Sequence, residues 1–195
     1  VVLYSHPLPQ RSFLDSLHKR YNPIISAMRN LPKPIICRLN GVAAGAGCSL
    51  ALACDMIIAS EDAVLIEVFI NIGLVPDSGS SYFLPRLVGK AKAFELCSMG
   101  SRVKADEALA LGIVNRVVPA DQLDNVLKEY TDYFSKAPTK SIGLIKRMLD
   151  KSATSTLDQM LDYEAYCQEI AGTSNDYKEG VSAFLEKRKP DFSGK

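Results

Sequence analysis

Histidine is nearly missing. The 195 residues contain only His6 and His18, both near the start, which leaves no basis for a histidine-based metal centre. Cysteine is sparse and has no pairing pattern: Cys37, Cys48, Cys54, Cys97 and Cys167 make an odd count without a C-x-x-C spacing. Four of the five sit in apolar runs. They read as small buried hydrophobes in a reducing compartment, not as a disulfide frame or a metal site. Neither sign of charge dominates; the formal net charge is +1, so there is no broad field for nucleic acid. No apolar run approaches the length of a membrane span. There is no internal repeat, no low-complexity segment and no Gly/Ser linker. The chain opens Val1-Val2-Leu3-Tyr4, without an initiator Met or a visible sorting signal. The expectation is either a processed start or the later part of a longer protein.

What is present fits one main globular domain: 195 residues, 47% of them hydrophobic, enough for a sizeable core. Ser5 to Gln10 reads as a Pro-containing loop. Ser12 is a plausible N-cap with Asp15 three residues on. Helical spacing then runs from Phe13 to Leu31, with a kink or restart expected at Pro23 and a stop at Pro32 and Pro34. Ile35–Leu39 reads as a strand, Cys48–Ala53 as a buried helix, and Asp55–Ala59 and Ala63–Ile66 as strands. Gly79–Leu84, Val88–Met99 and Lys104–Leu111 read as helices, the last stopped by Gly112. Ile113–Val118 is a last strand. Helices follow over Asp121–Phe134, Pro138–Leu149, Thr156–Ile170 and Asn175–Lys189. Strands alternating with helices argue for α/β. The expected organisation is an α/β core over 1–137 and an all-helical lid or assembly region over 138–195.

The stretch from Asn40 to Arg86 carries the chemistry. Gly41 to Gly47 contains only small residues and leads into a helix. Backbone N–H groups at a helix start are unpaired and carry the positive end of the macrodipole, so such a loop can hold an oxygen that turns negative. It can equally be tight helix–strand packing with no ligand. The spacing is neither G-x-G-x-x-G nor a Walker loop, and no Lys follows, which disfavours a nucleotide phosphate cradle. Asp77, in Pro76-Asp77-Ser78-Gly79, reads as an ordinary turn aspartate or as a base beside an apolar pocket. Glu67, the only charge within Val64–Ile72, reads as a strand-edge carboxylate facing solvent.

Several motifs together resemble the crotonase, or enoyl-CoA hydratase/isomerase, superfamily. They are Asn40-Gly41-Val42-Ala43-Ala44-Gly45-Ala46-Gly47, Leu50-Ala51-Leu52-Ala53-Cys54-Asp55, Gly73-Leu74-Val75-Pro76-Asp77-Ser78-Gly79, Leu84-Pro85-Arg86-Leu87-Val88-Gly89, and the tail Glu179-Gly180-Val181-Ser182-Ala183-Phe184. Within the superfamily the Pro-Asp-Ser-Gly turn is most similar to the ring-epoxide isomerases of phenylacetate breakdown and to Δ3,Δ2-enoyl-CoA isomerases. The resemblance implies a ββα spiral with C-terminal helices, assembled as a homotrimer or a hexamer. It implies that part of the family's usual N-terminal fold, with a second oxyanion donor, is not in this sequence. The substrate implied is an acyl-CoA thioester, with no cofactor beyond the coenzyme A it carries. The thioester oxygen would meet the Ala46 N–H, flanked by Gly45 and Gly47. Asp77 would shuttle one proton. Phe69 and Leu74 would line the acyl site, Ile66, Ile72 and Phe83 would help to keep water out, and Phe184 and Lys187, with Arg188, would meet the CoA portion. Family hydratases carry two glutamates; the corresponding positions here hold Ser49 and Phe69. That favours double-bond isomerisation over hydration. The alternatives are a hydratase with a displaced acid such as Glu67, or a non-catalytic CoA-binding homologue. The setting implied is cytoplasmic, with a mitochondrial or peroxisomal matrix as alternatives.

Overall fold

The computed structural model describes residues 12–195; the loop expected at 5–10 and His6 lie outside them. The Ser12 hydroxyl accepts from Asp15 N, as its cap position requires, and opens α1 (Phe13–Ser16). Pro23 does not break the helix. A π-helical turn over Leu17–Tyr21 absorbs it, and Pro23 becomes an early residue of α2 (Asn22–Asn30), where its missing N–H costs nothing. Leu31, ahead of Pro32, is extended at φ −64°, ψ 121° and ends the helix.

Two small sheets follow. Strand β1 (Ile36–Leu39) passes through Asn40-Gly41 into β2 (Val42–Ala44), which leads to α3 (Ala46–Leu52). The pattern repeats as β3 (Met56–Ser60), β4 (Val64–Ile66), a 3-10 turn over Val68–Ile72, α4 (Ser80–Val88) and α5 (Lys90–Met99). β5 (Arg102–Lys104), α6 (Ala105–Ala110) and β6 (Arg116–Val118) complete the core. One sheet has the order β1-β3-β6, all parallel; the other has β2-β4-β5, with β2 and β4 parallel and β5 antiparallel. The first two turns of chain each lay one strand in each sheet before a helix returns them, which is the ββα spiral; in the third, α6 stands between β5 and β6. Two strands were not expected. β2 is hidden in a run of small residues, and β5 is only three residues long. Helix α3 also begins at Ala46, not Cys48.

The interior between the sheets and α3, α5 and α6 is built from small side chains: Cys48, Ala51, Ala59, Ala93, Ala105 and Ala108, with Leu52, Leu84 and Leu96 filling the gaps. Small residues let backbones approach, so four three-residue strands and a seven-residue helix pack tightly despite their length. A second cluster, Ile58, Val118, Leu123 and Val126, fastens α7 (Leu123–Ser135). The remaining helices are α8 (Thr139–Ser152), α9 (Leu157–Gly172) and α10 (Asn175–Glu186), with a Thr156–Gln159 capping box opening α9.

Helix α8 is tied to the core by charge. Asp55, at the foot of β3, accepts from Arg29 Nη1 (2.8 Å), Lys146 Nζ (2.8 Å) and Ile35 N (2.8 Å). Arg29 also grips Asp150 through Nη2 (2.7 Å) and Nε (3.3 Å), and Lys146 reaches the carbonyl of Met28 at 2.8 Å. This cluster knits α2, the strand starts and α8 together.

Candidate active site

The site begins where β2 must become α3 within one residue. Gly45 does this at φ 57°, ψ −126°, a conformation closed to side-chain-bearing residues. Its N–H donates to Ile66 O at 3.0 Å at the end of β4. A Cβ there would stand 3.3 Å from Val68 Cγ1 and 3.7 Å from Phe69 Cζ. Glycine is therefore required by the backbone angle, and the Val68 methyl would crowd any Cβ as well. The first intrahelical bond of α3 runs from Ser49 N to Gly45 O at 3.0 Å, so the N–H groups of Ala46 and Gly47 precede it. Ala46 is half-buried and Gly47 exposed.

Asp77 approaches from the other side. After the 3-10 turn, Gly73 takes a left-handed φ of 72°, and Leu74 N donates to Phe69 O at 3.0 Å. The chain then turns sharply: Ser78 and Gly79 both have positive φ, 51° and 92°, and Ser80 N closes onto Asp77 O at 3.1 Å. Left-handed backbone in a non-glycine residue costs roughly 1–2 kcal/mol, and such strain clusters at functional sites. The return is orientation, because Ser78 Oγ donates to Asp77 Oδ1 at 2.8 Å. Asp77 is half-buried, on the rim of the fold.

The two sides meet through hydroxyls. Ser80 Oγ lies 2.8 Å from Ser49 Oγ and 2.8 Å from Glu67 Oε1, and Ser49 Oγ is 3.2 Å from Gly45 O. Gly45, Ala46, Phe69, Leu74 and Asp77 are thereby held in one neighbourhood by the starts of α3 and α4.

Glu67 corrects the sequence reading. It does not face solvent; it is 3% exposed. β4 ends at Ile66, and the 3-10 turn swings Glu67 inward beneath Ser80. Burial pushes its carboxyl above the ordinary glutamate range, the Ser80 and Cys48 hydrogen bonds pull it back, and the charge of Asp77 pushes it further up. Oε2 has no partner among the described residues, and Glu67 borders a void of about 10 Å³ shared with Cys48 and Leu96. The usable signal was the position of this lone charge among apolar residues, with Ser49 and Ser80 at two helix starts. Burial also holds the neighbouring Cys48 thiol well above its usual range, with the charge of Glu67 adding to it.

Ile72 is a second correction. It was expected to help keep water from the site, yet it is 76% exposed, because the outer face of the 3-10 turn carries it. Phe184 and Lys187 do not join this neighbourhood within one chain. Phe184 is 83% exposed on α10 and borders a cleft of about 660 Å³ with Gln168, Tyr177 and Phe192. Lys187 caps the helix at φ 56°. Arg188 is engaged by Glu179 at 2.5 and 2.9 Å and by Glu186 at 2.6 Å. A cavity of about 550 Å³ lies away from Asp77, between α2, α4, α7 and α8, above the Asp55 cluster. Among the described residues no group of side chains could hold a metal, and no helix is long and apolar enough to cross a membrane.

The family model for enoyl-CoA hydratase/isomerase matches residues 8–195. The chain is similar to 1,2-epoxyphenylacetyl-CoA isomerase of Escherichia coli K12, 43% identical over 92% of this chain and 69% of that protein. It is 35% identical to the trans-2-decenoyl-[acyl-carrier-protein] isomerase of Streptococcus mutans, over 89% of this chain and 66% of that protein. Among solved structures, the enoyl-CoA hydratase from Bacillus anthracis superposes with a TM-score of 0.89 at 31% identity, over 95% of this chain and 73% of that one.

Proposed function

The chain belongs to the enoyl-CoA hydratase/isomerase family, and on that premise we propose that it is a double-bond isomerase of acyl-CoA thioesters that uses one carboxylate. The observation carrying this reading is the contrast in access. Asp77 stands half-buried at the rim with its carboxylate aimed by Ser78, while Glu67 is sealed beneath Ser80. One accessible acid suits moving one proton between two carbons of the same substrate. Hydration needs a second accessible group, to activate water while the first delivers a proton to carbon.

The thioester oxygen sits at the Ala46 N–H. Asp77 takes a proton from the carbon next to the carbonyl, and the C–H electron pair moves into the carbonyl to form an enolate. Amide N–H groups and the start of α3 stabilise that oxyanion; one such donor is worth about 3 kcal/mol in other enzymes. Asp77 then gives the proton to the γ-carbon, and the double bond moves from 3,4 to 2,3. Ile66 and Phe69, both buried, with the half-buried Leu74, form the apolar wall that excludes water; Phe83, expected to help, instead lines the cavity beside Arg29. In the ring-epoxide version of this chemistry the same carboxylate assists opening of the epoxide to an oxepin. Phe184 and Lys187 meet the CoA portion of a substrate held by a neighbouring copy in a homotrimer or hexamer; their exposure on α10 suits that role.

The test is a 3-enoyl-CoA substrate followed by absorbance of the conjugated product. Asp77→Asn lowers turnover by about 10²–10⁴-fold, the usual worth of a positioned acid–base group, and leaves CoA-ester binding nearly unchanged. Normal turnover by the Asn variant would sink the assignment. A second reading, hydration, is favoured by one observation: Glu67 lies close enough to Asp77 to feel its charge. Its product would carry a hydroxyl derived from water.

A further inference from the structure

The mechanism above leaves Glu67 unused, although a carboxyl buried with no cation beside it is costly to keep. The path leading away from it is continuous. Glu67 Oε1 is 2.8 Å from Ser80 Oγ, Ser80 Oγ is 2.8 Å from Ser49 Oγ, and Ser49 Oγ is 3.2 Å from Gly45 O. Both serines are 0% exposed, so water does not interrupt the path. It ends on a particular peptide unit, because the carbonyl of Gly45 and the N–H of Ala46 belong to the same amide.

We propose that Glu67, acting through Ser80 and Ser49 on the Gly45 carbonyl, sets how strongly the Ala46 N–H binds the substrate oxyanion. Glu67 is then a positioning residue that never touches substrate. The inference rests on the assignment of Ala46 as the oxyanion donor.

Proton counting gives the relay a direction. There are three links and only two serine hydroxyl protons. When Glu67 is neutral its own proton supplies the third: Glu67 donates to Ser80, Ser80 to Ser49, and Ser49 to Gly45 O. Every link is made, and the Gly45 carbonyl holds two donors, Ser49 Oγ and Ser49 N. When Glu67 is ionised, Ser80 turns to donate to it, and one of the remaining links is left without a proton. Donors on a carbonyl polarise its amide and strengthen the N–H on the other side, since chained hydrogen bonds reinforce one another. Burial, and the Asp77 carboxylate from the turn before α4, favour the neutral state; the hydrogen bonds from Ser80 on α4 and the Cys48 thiol on α3 oppose them, and the Cys97 thiol of α5 also feels the Glu67 charge. Among the described residues no Lys or Arg forms an ion pair with it.

Gly45-Ala46 is the only Gly-Ala step in the chain, so carbonyl-13C glycine with 15N alanine yields a single correlated amide signal. In the wild-type protein that signal shifts as pH rises and Glu67 ionises. In Glu67→Gln, whose amide can still donate to Ser80, the shift disappears and kcat is retained, while the alkaline fall in kcat flattens. Ser49→Ala cuts the relay without touching Glu67. It removes the same shift and lowers kcat by about tenfold, the worth of one hydrogen bond, with KM little changed. Loss of turnover in Glu67→Gln would overturn the proposal, because Glu67 would then be handing protons to substrate. A wild-type signal that ignores pH, or a shift that persists in Ser49→Ala, would overturn it as well. If the shift behaves as expected but the wild type isomerises no enoyl-CoA, the relay stands and the assigned activity falls.

Discussion

Asp55 leaves solvent surrounded by cations, whereas Glu67 does so with none. Asp55 accepts from Arg29, Lys146 and the Ile35 N–H, and Asp150 balances the second face of Arg29. Glu67 has one hydroxyl, one weak thiol contact and an unmatched oxygen. The first arrangement is a fastening. Its charges are fixed, each is matched, and they hold α8 to the core. The second holds an acid whose charged form burial and Asp77 disfavour, next to the loop where oxyanion chemistry is assigned. The chain thus has two ways of burying an acid. The partners decide which is structural and which is poised to change state.

The largest effect that separates the two is expected at Asp55. Asp55→Ala leaves the buried Lys146 without its carboxylate partner and Arg29 with Asp150 alone, and should cost about 3–5 kcal/mol in a denaturant titration. Glu67→Gln should cost little, because it breaks no ion pair and keeps a group able to bond Ser80. Equal losses from the two variants would erase the distinction.

A pH series sharpens the comparison at smaller amplitude. The carboxyl of Glu67 is raised in the folded chain by burial and by Asp77. Its contribution to stability is therefore complete at pH values below that of an unfolded glutamate and is lost as pH climbs through the raised value. The melting temperature of the wild type should fall across that window relative to Glu67→Gln, which has no proton to lose. Parallel curves for the two proteins would show that Glu67 is not held neutral.

The smallest effect is expected at Ser78. Ser78→Gly relieves the left-handed strain at φ 51°, offset in part by the larger entropy glycine loses on folding, and should raise stability by no more than about 1 kcal/mol. It also removes the hydroxyl that aims Asp77 and should lower kcat by about tenfold or less. A variant both more stable and fully active would show that the strained turn has no part in catalysis.

Much of this was legible in the sequence, for local reasons. Ser12, Pro32 and Thr156 announce helix ends through their own chemistry, and the small-residue run through Gly45 announces a tight entry to a helix. The spiral was legible only through the family motifs. β2 and β5 escaped because three-residue strands of Val-Ala-Ala or Arg-Val-Lys have no periodicity to read; partner strands alone make them strands. Glu67 escaped for a related reason. Alternation along β4 places it outward only if the strand continues, and the strand stops at Ile66. The meeting of Ser49, Ser80 and Glu67 depends on contacts 13 and 31 residues apart in the chain, which no local pattern encodes.

The central claim is that a single carboxylate carries one hydrogen from one carbon of the substrate to another. Its most direct test is 3-enoyl-CoA labelled with deuterium at C2, turned over in ordinary water and examined by mass spectrometry. A one-acid shuttle predicts a 2-enoyl product retaining a substantial share of the label at C4 and no oxygen from solvent. A 3-hydroxyacyl product, or a 2-enoyl product with no deuterium at C4, would contradict it.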